Sequence, residues 1–150
     1  PVTEMVTLGS SLLANSSLTY TFTTQANLSV PGTYTINASV NFPGDINPVN
    51  NQYTNHSVTH YAVSVGGVVS GSATACANSN SGTLTLSGYT GNILRWEYSN
   101  DEGNTWYYVS NTGTAQNYNN LKTTTRYRAV IQSPTCGITF SAIAIITINC

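Results

Sequence analysis

The sequence predicts an all-β protein with two β-sandwich domains in tandem. The 150-residue chain has few of the strong helix-forming residues, whereas Thr and Tyr, which favour strands, are abundant. Short segments alternate apolar and polar residues, which is the period of a half-buried strand. Clusters of Gly, Pro, Asn and Asp separate these segments and mark turns. We therefore expect essentially no helix.

Residues 1–65 are predicted to be the C-terminal part of the first domain. Alternating residues over 18–22 and 34–40 predict a pair of strands, and a turn-rich loop leads to a further strand over 53–65. So few strands cannot cover both faces of a sandwich. We expect the missing strands upstream of Pro1, which makes this chain a fragment of a longer precursor whose first domain is truncated at its N-terminus.

Residues 66–150 are predicted to form a complete second sandwich that begins at the Gly66-Gly67 junction. Short polar turns separate the predicted strands, which cover residues 83–87, 93–99, 106–110, 115–121, 125–132 and 139–149. With a first strand directly after the junction, this gives seven strands in about 80 residues, the proportion found in sandwich domains.

The strands over 93–99 and 125–132 are predicted to be neighbours in one sheet, because the corresponding strands normally pair in sandwiches of this type. Side chains alternate between the two faces of a strand. We therefore expect one set of apolar residues to face the core, consisting of Leu94, Trp96, Tyr98, Tyr127, Ala129 and Ile131.

The residues that alternate with this inward set form the best candidate binding patch. Arg95, Arg126 and Arg128, three of the four cationic residues of the chain, are expected to share one exposed face. Tyr107 lies nearby in the sequence and, if exposed, has a ring that can stack on a sugar. The alternative interpretation is structural, because Glu97 on the same face would form weak cross-strand ion pairs.

Residues 99–106 match the Asp-box pattern S-x-D-x-G-x-T-W, which predicts a tight hairpin. The matching residues are Ser99, Asp101, Gly103, Thr105 and Trp106. Gly103 can take a positive φ, Asp101 can accept hydrogen bonds from turn amides, and Trp106 can fold back over the hairpin. The motif resembles the boxes repeated in sialidase propellers. One box cannot build a propeller, and only five acidic residues are available for the carboxylate pair of a glycosidase. The motif therefore predicts structure, not catalysis.

Composition and charge exclude several classes of function. Only 6% of the residues are charged and the formal net charge is −1, so no basic surface is available to bind nucleic acid phosphates. No apolar run approaches the roughly 18 residues of a membrane span. The sequence also has no elbow motif that would frame a nucleophile. We expect a protein that is not an enzyme and has neither a nucleic acid partner nor a membrane span.

One loop carries a candidate calcium site. Asp45 and Asn47 supply hard oxygen donors, but Asp45 is the only carboxylate in the loop. The alternative interpretation is that both residues serve to form the turn. We otherwise expect no cofactor.

The chain has three cysteines, and the residues alone leave their pairing open. Cys76, Cys136 and Cys150 lack the spacing of a zinc site, so either disulfide formation or burial remains. The turns that carry Cys76 and Cys136 lie at opposite ends of a seven-strand sandwich, whereas a disulfide needs Cα atoms within about 7 Å. Cys150 ends the last strand, where it would lie nearer Cys76 or face a following domain.

Residues 121–127 resemble the L-x-P-x-T-x-Y signature of fibronectin type III domains. Leu121, Thr125 and Tyr127 match it, and Thr123 stands in place of Pro. The resemblance implies that Tyr127 forms a tyrosine corner, in which the ring joins the core and the hydroxyl bonds to backbone upstream. This role is structural.

A longer resemblance covers nearly all of the second domain. Four segments carry it: G-G-V-V-S-G at 66–71, S-G-T-L-T-L-S-G at 81–88, L-R-W-E-Y-S at 94–99 and Y-R-A-V at 127–130. Together they resemble the Ig-like repeats of giant surface adhesins of gliding Bacteroidota, and the resemblance is closest to SprB-type gliding adhesins. In the first domain, P-G-T-Y at 31–34 and P-G-D-x-N-P-x-N-N at 43–51 resemble the C-terminal part of CARDB-like adhesion modules.

This resemblance implies two Ig-like domains of a large cell-surface adhesin, exported across the outer membrane by the type IX system. Such a segment acts as a spacer and adhesive filament in gliding and attachment. Its implied partners are neighbouring repeats, the type IX and gliding machinery, and an external surface or polysaccharide. The resemblance also implies a disulfide between Cys76 and Cys136. The competing hypothesis is a carbohydrate-binding accessory module of a secreted glycoside hydrolase, which would present an exposed aromatic platform.

Overall fold

The structure is a computed structural model that describes residues 3–10 and 13–149. Within these residues it contains eleven β-strands, one 3-10 turn at Pro48–Asn50 and no α-helix. The predicted all-β fold is therefore confirmed. In the same residues, no helix is long and apolar enough to cross a membrane.

β1 (Gly32–Ser39) and β2 (Gln52–His60) form an antiparallel two-stranded sheet. The strand predicted over residues 18–22 is not formed, and β1 pairs with β2 in its place. The carboxylate of Glu4 accepts a hydrogen bond from the backbone N–H of Thr23 at 3.1 Å. The backbone just after the predicted strand is therefore bonded to a side chain, so it does not continue a ladder.

The strands after residue 67 are β3 (Val68–Ser70), β4 (Ala73–Ala75), β5 (Ser81–Ser87), β6 (Asn92–Ser99), β7 (Tyr107–Val109), β8 (Ala115–Asn119), β9 (Thr125–Gln132), β10 (Ile138–Phe140) and β11 (Ala144–Ile148). The larger of their two sheets has the order β4-β11-β9-β6-β7, with β10 also paired to β9. The smaller sheet has the order β3-β5-β8. All pairs are antiparallel except β4 with β11, which is parallel.

The hydrophobic core lies between these two sheets. Its buried members are Val69, Leu84 and Leu86 from the smaller sheet and Ile93, Trp96, Tyr127, Ala129, Ile131, Ala144 and Ile146 from the larger one. Trp96 is fully buried, and its indole N–H donates to the carbonyl oxygen of Gly113 at 2.8 Å. Two sheets packed around one core are compatible with an Ig-like sandwich.

A β-bulge in β6 reverses the predicted orientation of one residue. Ile93 pairs with Ile131 and Arg95 pairs with Val130, which leaves Leu94 as an extra residue opposite β9. Ile93 is buried and Leu94 is exposed, so the prediction that Leu94 faces the core is wrong. A bulge shifts the alternation by one residue because two residues on one strand oppose one on the other.

The strand predicted over residues 139–149 is interrupted. β10 and β11 both pair with β9, one along each half of the same edge. Between them, the Ser141 hydroxyl accepts a hydrogen bond from the Ala129 N–H at 2.8 Å, and the Ala142 N–H donates to the Gly67 carbonyl at 3.0 Å. The backbone turns away from β9 to reach Gly67, which ends one strand and begins the next.

Residues 61–67 form a segment that we call the strap, which packs against the larger sheet. The Ser64 hydroxyl donates to the Gly137 carbonyl at 2.7 Å and accepts from the Ser133 N–H at 2.8 Å. Gly66 is buried, and a Cβ at this position would overlap the backbone of β10. Because the strap bonds to this sheet, β2 ends before the residue 65 expected for it.

The strap and the end of β11 lie at opposite ends of the larger sheet. The strap contacts Ser133, which follows the last residue of β9, whereas Ile146 of β11 pairs with Thr125, the first residue of β9. At about 3.3 Å per residue, the eight steps from Thr125 to Ser133 separate these two points by about 26 Å. The chain therefore enters this unit at one end and reaches its last described residues at the other.

Cys76 is disulfide-bonded and Cys136 is a free thiol, so the pairing implied for these two residues is wrong. Cys76 directly follows β4, which runs beside the C-terminal end of β11. Cys136 lies at the strap, where its thiol donates to the Ala62 carbonyl at 3.5 Å. The length of β9 keeps the two cysteines apart, far beyond the roughly 7 Å Cα separation of a disulfide. Cys150 lies outside the described residues.

Candidate functional site

Charged and aromatic residues cover the outer side of the larger sheet. Those in strands alternate with the core residues Trp96, Tyr127 and Ala129, so they point away from the core. We call this surface the arginine–aromatic face, and its members are Arg95 and Glu97 of β6, Trp106 of the Asp-box hairpin, Tyr108 of β7, Arg126 and Arg128 of β9 and Phe140 of β10.

Glu97 binds the two neighbouring arginines. Nε and Nη2 of Arg95 lie 2.8 and 2.6 Å from Oε1, and Nε and Nη2 of Arg128 both lie 2.8 Å from Oε2. The Glu97 side chain is only 8% exposed, compared with 30% for Arg95 and 20% for Arg128. The Arg128 pair crosses between strands as expected, whereas the Arg95 pair lies within β6, and both are more buried than ordinary surface pairs. Two-point bonding satisfies both carboxylate oxygens and fixes both guanidinium groups.

Arg128 is also stacked between two aromatic rings. Its Cζ lies 3.9 Å from the ring centroid of Trp106 and 3.9 Å from that of Phe140. Arg95 makes a longer contact, with its Cζ 5.8 Å from the ring centroid of Tyr108. Cations are attracted to the faces of aromatic rings. These stacks and the bonds to Glu97 hold both arginines in one conformation.

The Asp-box hairpin positions Trp106. The Ser99 hydroxyl donates to Asp101 Oδ1 at 2.7 Å and accepts from the Gly103 N–H at 2.9 Å, while the Thr105 N–H donates to the same Asp101 oxygen at 2.8 Å. The bonds from Thr105 and Ser99 lower the pKa of Asp101 from 3.8 to about 2. Gly103 has a φ of +95°, and the Trp106 indole lies over it. The hairpin thus contains the hydrogen bonds that its motif predicts.

Tyr107 is not part of the arginine–aromatic face, in contrast to the prediction. Successive residues of a strand point to opposite sides, and Tyr108 is the residue that pairs with Glu97. Tyr107 pairs with Tyr98, and their ring centroids are 5.3 Å apart. Because Tyr98 packs against the core, Tyr107 is exposed on the core side of the sheet edge.

Tyr127 packs in the core between Tyr98 and Tyr118, with ring centroids 6.3 and 6.5 Å away. Burial raises the pKa of the Tyr127 hydroxyl, and the neighbouring hydroxyls of Tyr98 and Tyr118 add to this effect. Within residues 3–10 and 13–149, this hydroxyl makes no hydrogen bond to upstream backbone. The structure therefore contains the buried ring of the predicted tyrosine corner but not its hydrogen bond.

Arg126 is the cation of the face that has no ion pair within the described part of the chain. It pairs through its backbone with Ser99 of β6 and Ile145 of β11, which places it in the middle of the sheet. Its side chain is partly exposed on the arginine–aromatic face.

Asp45 and Asn47 form a turn within their loop. The Asn47 N–H donates to Asp45 Oδ1 at 2.9 Å, and this bond, followed by one from the Asn51 side chain, lowers the pKa of Asp45. Where the structure describes the chain, no group of three or more His, Cys, Asp and Glu residues is placed to hold a metal ion. The described contacts of this loop are those of the turn interpretation.

These observations define an all-β domain that is compatible with an Ig-like sandwich and carries a charged, aromatic outer surface. A profile of the family described as Domain of unknown function (DUF8696) matches residues 65–150, which is more than half of the chain. The chain therefore belongs to the DUF8696 family. No curated protein and no solved structure matches the chain.

Proposed function

We propose that the chain is a non-catalytic repeat segment of a large extracellular adhesin, in which it acts as a spacer within a surface filament used in gliding and attachment. One observation carries this proposal: the strap and the end of β11 lie at opposite ends of the larger sheet. Each such unit would extend a filament by about the length of its strands, and it would contact chiefly its neighbours along the chain.

A spacer needs junctions that hold their direction, and the strap has contacts suited to this. Val65 and Thr90 exchange two backbone hydrogen bonds of 3.0 Å. Ser64 joins two further points of the β9–β10 turn, and Gly66 is packed too closely to admit a side chain. These contacts restrain rotation between the strap and the larger sheet.

The disulfide at Cys76 supports an extracellular location. Disulfides form and persist in oxidising environments, which include the cell surface. Export by the type IX system and display in gliding bacteria come from the resemblance to SprB-type adhesins, and they belong to the same proposal.

Antibodies raised against the purified chain test the proposed location in the bacterium that encodes it. We expect gold particles on filaments at the surface of intact cells. In a strain that lacks the type IX system, we expect surface labelling to disappear while the protein remains detectable in cell lysates. Labelling that requires permeabilised wild-type cells, or surface labelling that is independent of the type IX system, would contradict the proposal.

The alternative function is a carbohydrate-binding accessory module of a secreted glycoside hydrolase. The exposed Tyr108 beside Arg95 supports it, because sugar sites combine an aromatic surface with hydrogen-bonding groups. The full-length chain discriminates between the two functions. An upstream catalytic domain would establish the alternative, whereas many repeats ending in a type IX sorting domain would establish the adhesin.

A further inference from the structure

We propose that the arginine–aromatic face binds acidic polysaccharide, a polymer that contains uronic-acid sugars. The proposal gives a ligand class to the adhesin described above and rests on that function for its biological setting. The first argument is charge. Three of the four Lys and Arg residues lie on the face, whereas Glu97 is its one carboxylate, so positive charges exceed negative charges by two. The whole chain, in contrast, has a formal net charge of −1.

The acids of the adjoining hairpin do not pair with the face. Asp101 is directed into the hairpin, where Oδ1 accepts hydrogen bonds from Ser99 and Thr105. Glu102 is exposed at the hairpin turn, with a φ of +62°. Within the described residues, neither acid forms an ion pair with Arg126. The Arg126 guanidinium therefore has its charge available for a ligand.

Glu97 leaves part of each neighbouring guanidinium able to donate. It engages Nε and Nη2 of Arg95 and Arg128, and it does not bond to Nη1 of either residue. A guanidinium has five N–H donors, of which Glu97 accepts from two on each arginine. Because both groups are already fixed in position, a sugar carboxylate binds them with little further loss of side-chain freedom.

Exposed rings flank these donors and provide a surface for the sugar itself. Tyr108 is 64% exposed and Phe140 is 42% exposed. The apolar side of a sugar ring packs on an aromatic face while its polar groups bond to neighbouring side chains. Rings and cations on one surface match the two components of a uronic acid, an apolar ring side and a carboxylate.

The shape of the face suits an extended polymer. The face is the open side of a sheet, along which cationic residues follow one another on adjacent strands. A single such face binds weakly, but repeats in tandem would present it many times to one polysaccharide chain, and multivalent binding multiplies the affinity. Nucleic acid is a poorer fit, because so few cations neutralise few phosphates.

The test uses the purified 150-residue chain and two polymers, acidic polygalacturonate and neutral dextran, with binding measured by calorimetry at low and high salt. We expect binding to polygalacturonate alone, weakened by salt. Arg126→Gln should weaken binding by about tenfold, because it removes a charged donor without breaking an ion pair. Lys122→Gln, which makes the same change of charge outside the face, should bind as the wild type does.

Three results would overturn the proposal: no binding to polygalacturonate, equal weakening by Lys122→Gln and Arg126→Gln, or equal binding of poly-glutamate. The last would indicate an acidic peptide partner or unspecific attraction of anions. An unchanged tryptophan fluorescence spectrum of each variant verifies that the fold is kept. Failure of this binding leaves the surface labelling of cells unaffected, so the ligand and the adhesin function are tested separately.

Discussion

Replacing Glu97 by Gln tests whether one carboxylate holds the arginine–aromatic face together. Gln keeps the size and shape of Glu, but its side chain has one oxygen and one NH2 group. The oxygen can still accept from Arg95 or Arg128, whereas the NH2 group faces the donors of the other arginine. One arginine therefore loses both of its hydrogen bonds, and neither retains a compensating charge.

The magnitude follows from the number and exposure of the bonds lost. A hydrogen bond to a charged group contributes about 1.5–3 kcal/mol, so two lost bonds set an upper range of about 3–6 kcal/mol. The arginine side chains are 20–30% exposed, and water partly replaces the lost partner. We therefore expect a free energy of unfolding lower by about 2–3 kcal/mol, and a Tm lower by about 10–20 °C for a unit of about 85 residues.

Urea unfolding followed by tryptophan fluorescence measures this change. Trp96 and Trp106 are the two tryptophans of the chain, and both report on the unit that contains Glu97. Glu102→Gln is the matched control, because it makes the same change of charge at an exposed residue of the hairpin. If Glu97→Gln lowers the stability no more than this control does, the carboxylate does not hold the face together.

Three further changes have defined outcomes. Gly66→Ala should lift the strap, lower the free energy of unfolding by about 1–3 kcal/mol and speed the reaction of Cys136 with thiol reagents. The control is Gly137→Ala, which has open space around its Cβ and should have none of these effects. The pKa of Asp101 is about 2 in the folded protein and 3.8 ordinarily, so its ionised form adds stability that is present above pH 3.8 and lost as the pH falls towards 2. In a plot of the urea midpoint against pH, Asp101→Asn should therefore flatten the slope in that pH range. Cys76→Ser should lower the free energy of unfolding by about 2–5 kcal/mol, because it removes the disulfide, whereas Cys136→Ser should change it almost not at all. Equal effects of the two substitutions would refute the disulfide at Cys76.

The sequence predicts strands where alternation is uninterrupted and turns where Gly, Pro, Asn and Asp cluster. β9 has the predicted bounds Thr125–Gln132 because eight residues alternate without a break. Alternation fails at Leu94, where a bulge inserts one residue, and at Ser141, where the backbone turns to Gly67. Both exceptions depend on partners distant in the sequence, so no local pattern reveals them.

The candidate site shows the same limit. Period two places Arg95, Arg126 and Arg128 on one face, as the structure does, but only nearness in sequence points to Tyr107 as a neighbour of that face. The register with β6 brings Tyr108 there instead. The stack of Trp106, Arg128 and Phe140 joins a hairpin to two strands, and only the folded arrangement brings them together.

The parallel pairing of β4 with β11 determines how the unit responds to mechanical tension. Pulling at the strap and beyond β11 draws these two strands in opposite directions along their length. The three register pairs, Ala73 with Ile146, Thr74 with Thr147 and Ala75 with Ile148, are then loaded together in shear and do not open one after another. Cys76, which directly follows β4, is disulfide-bonded, so a covalent bond and these hydrogen bonds both hold the C-terminal end of β4.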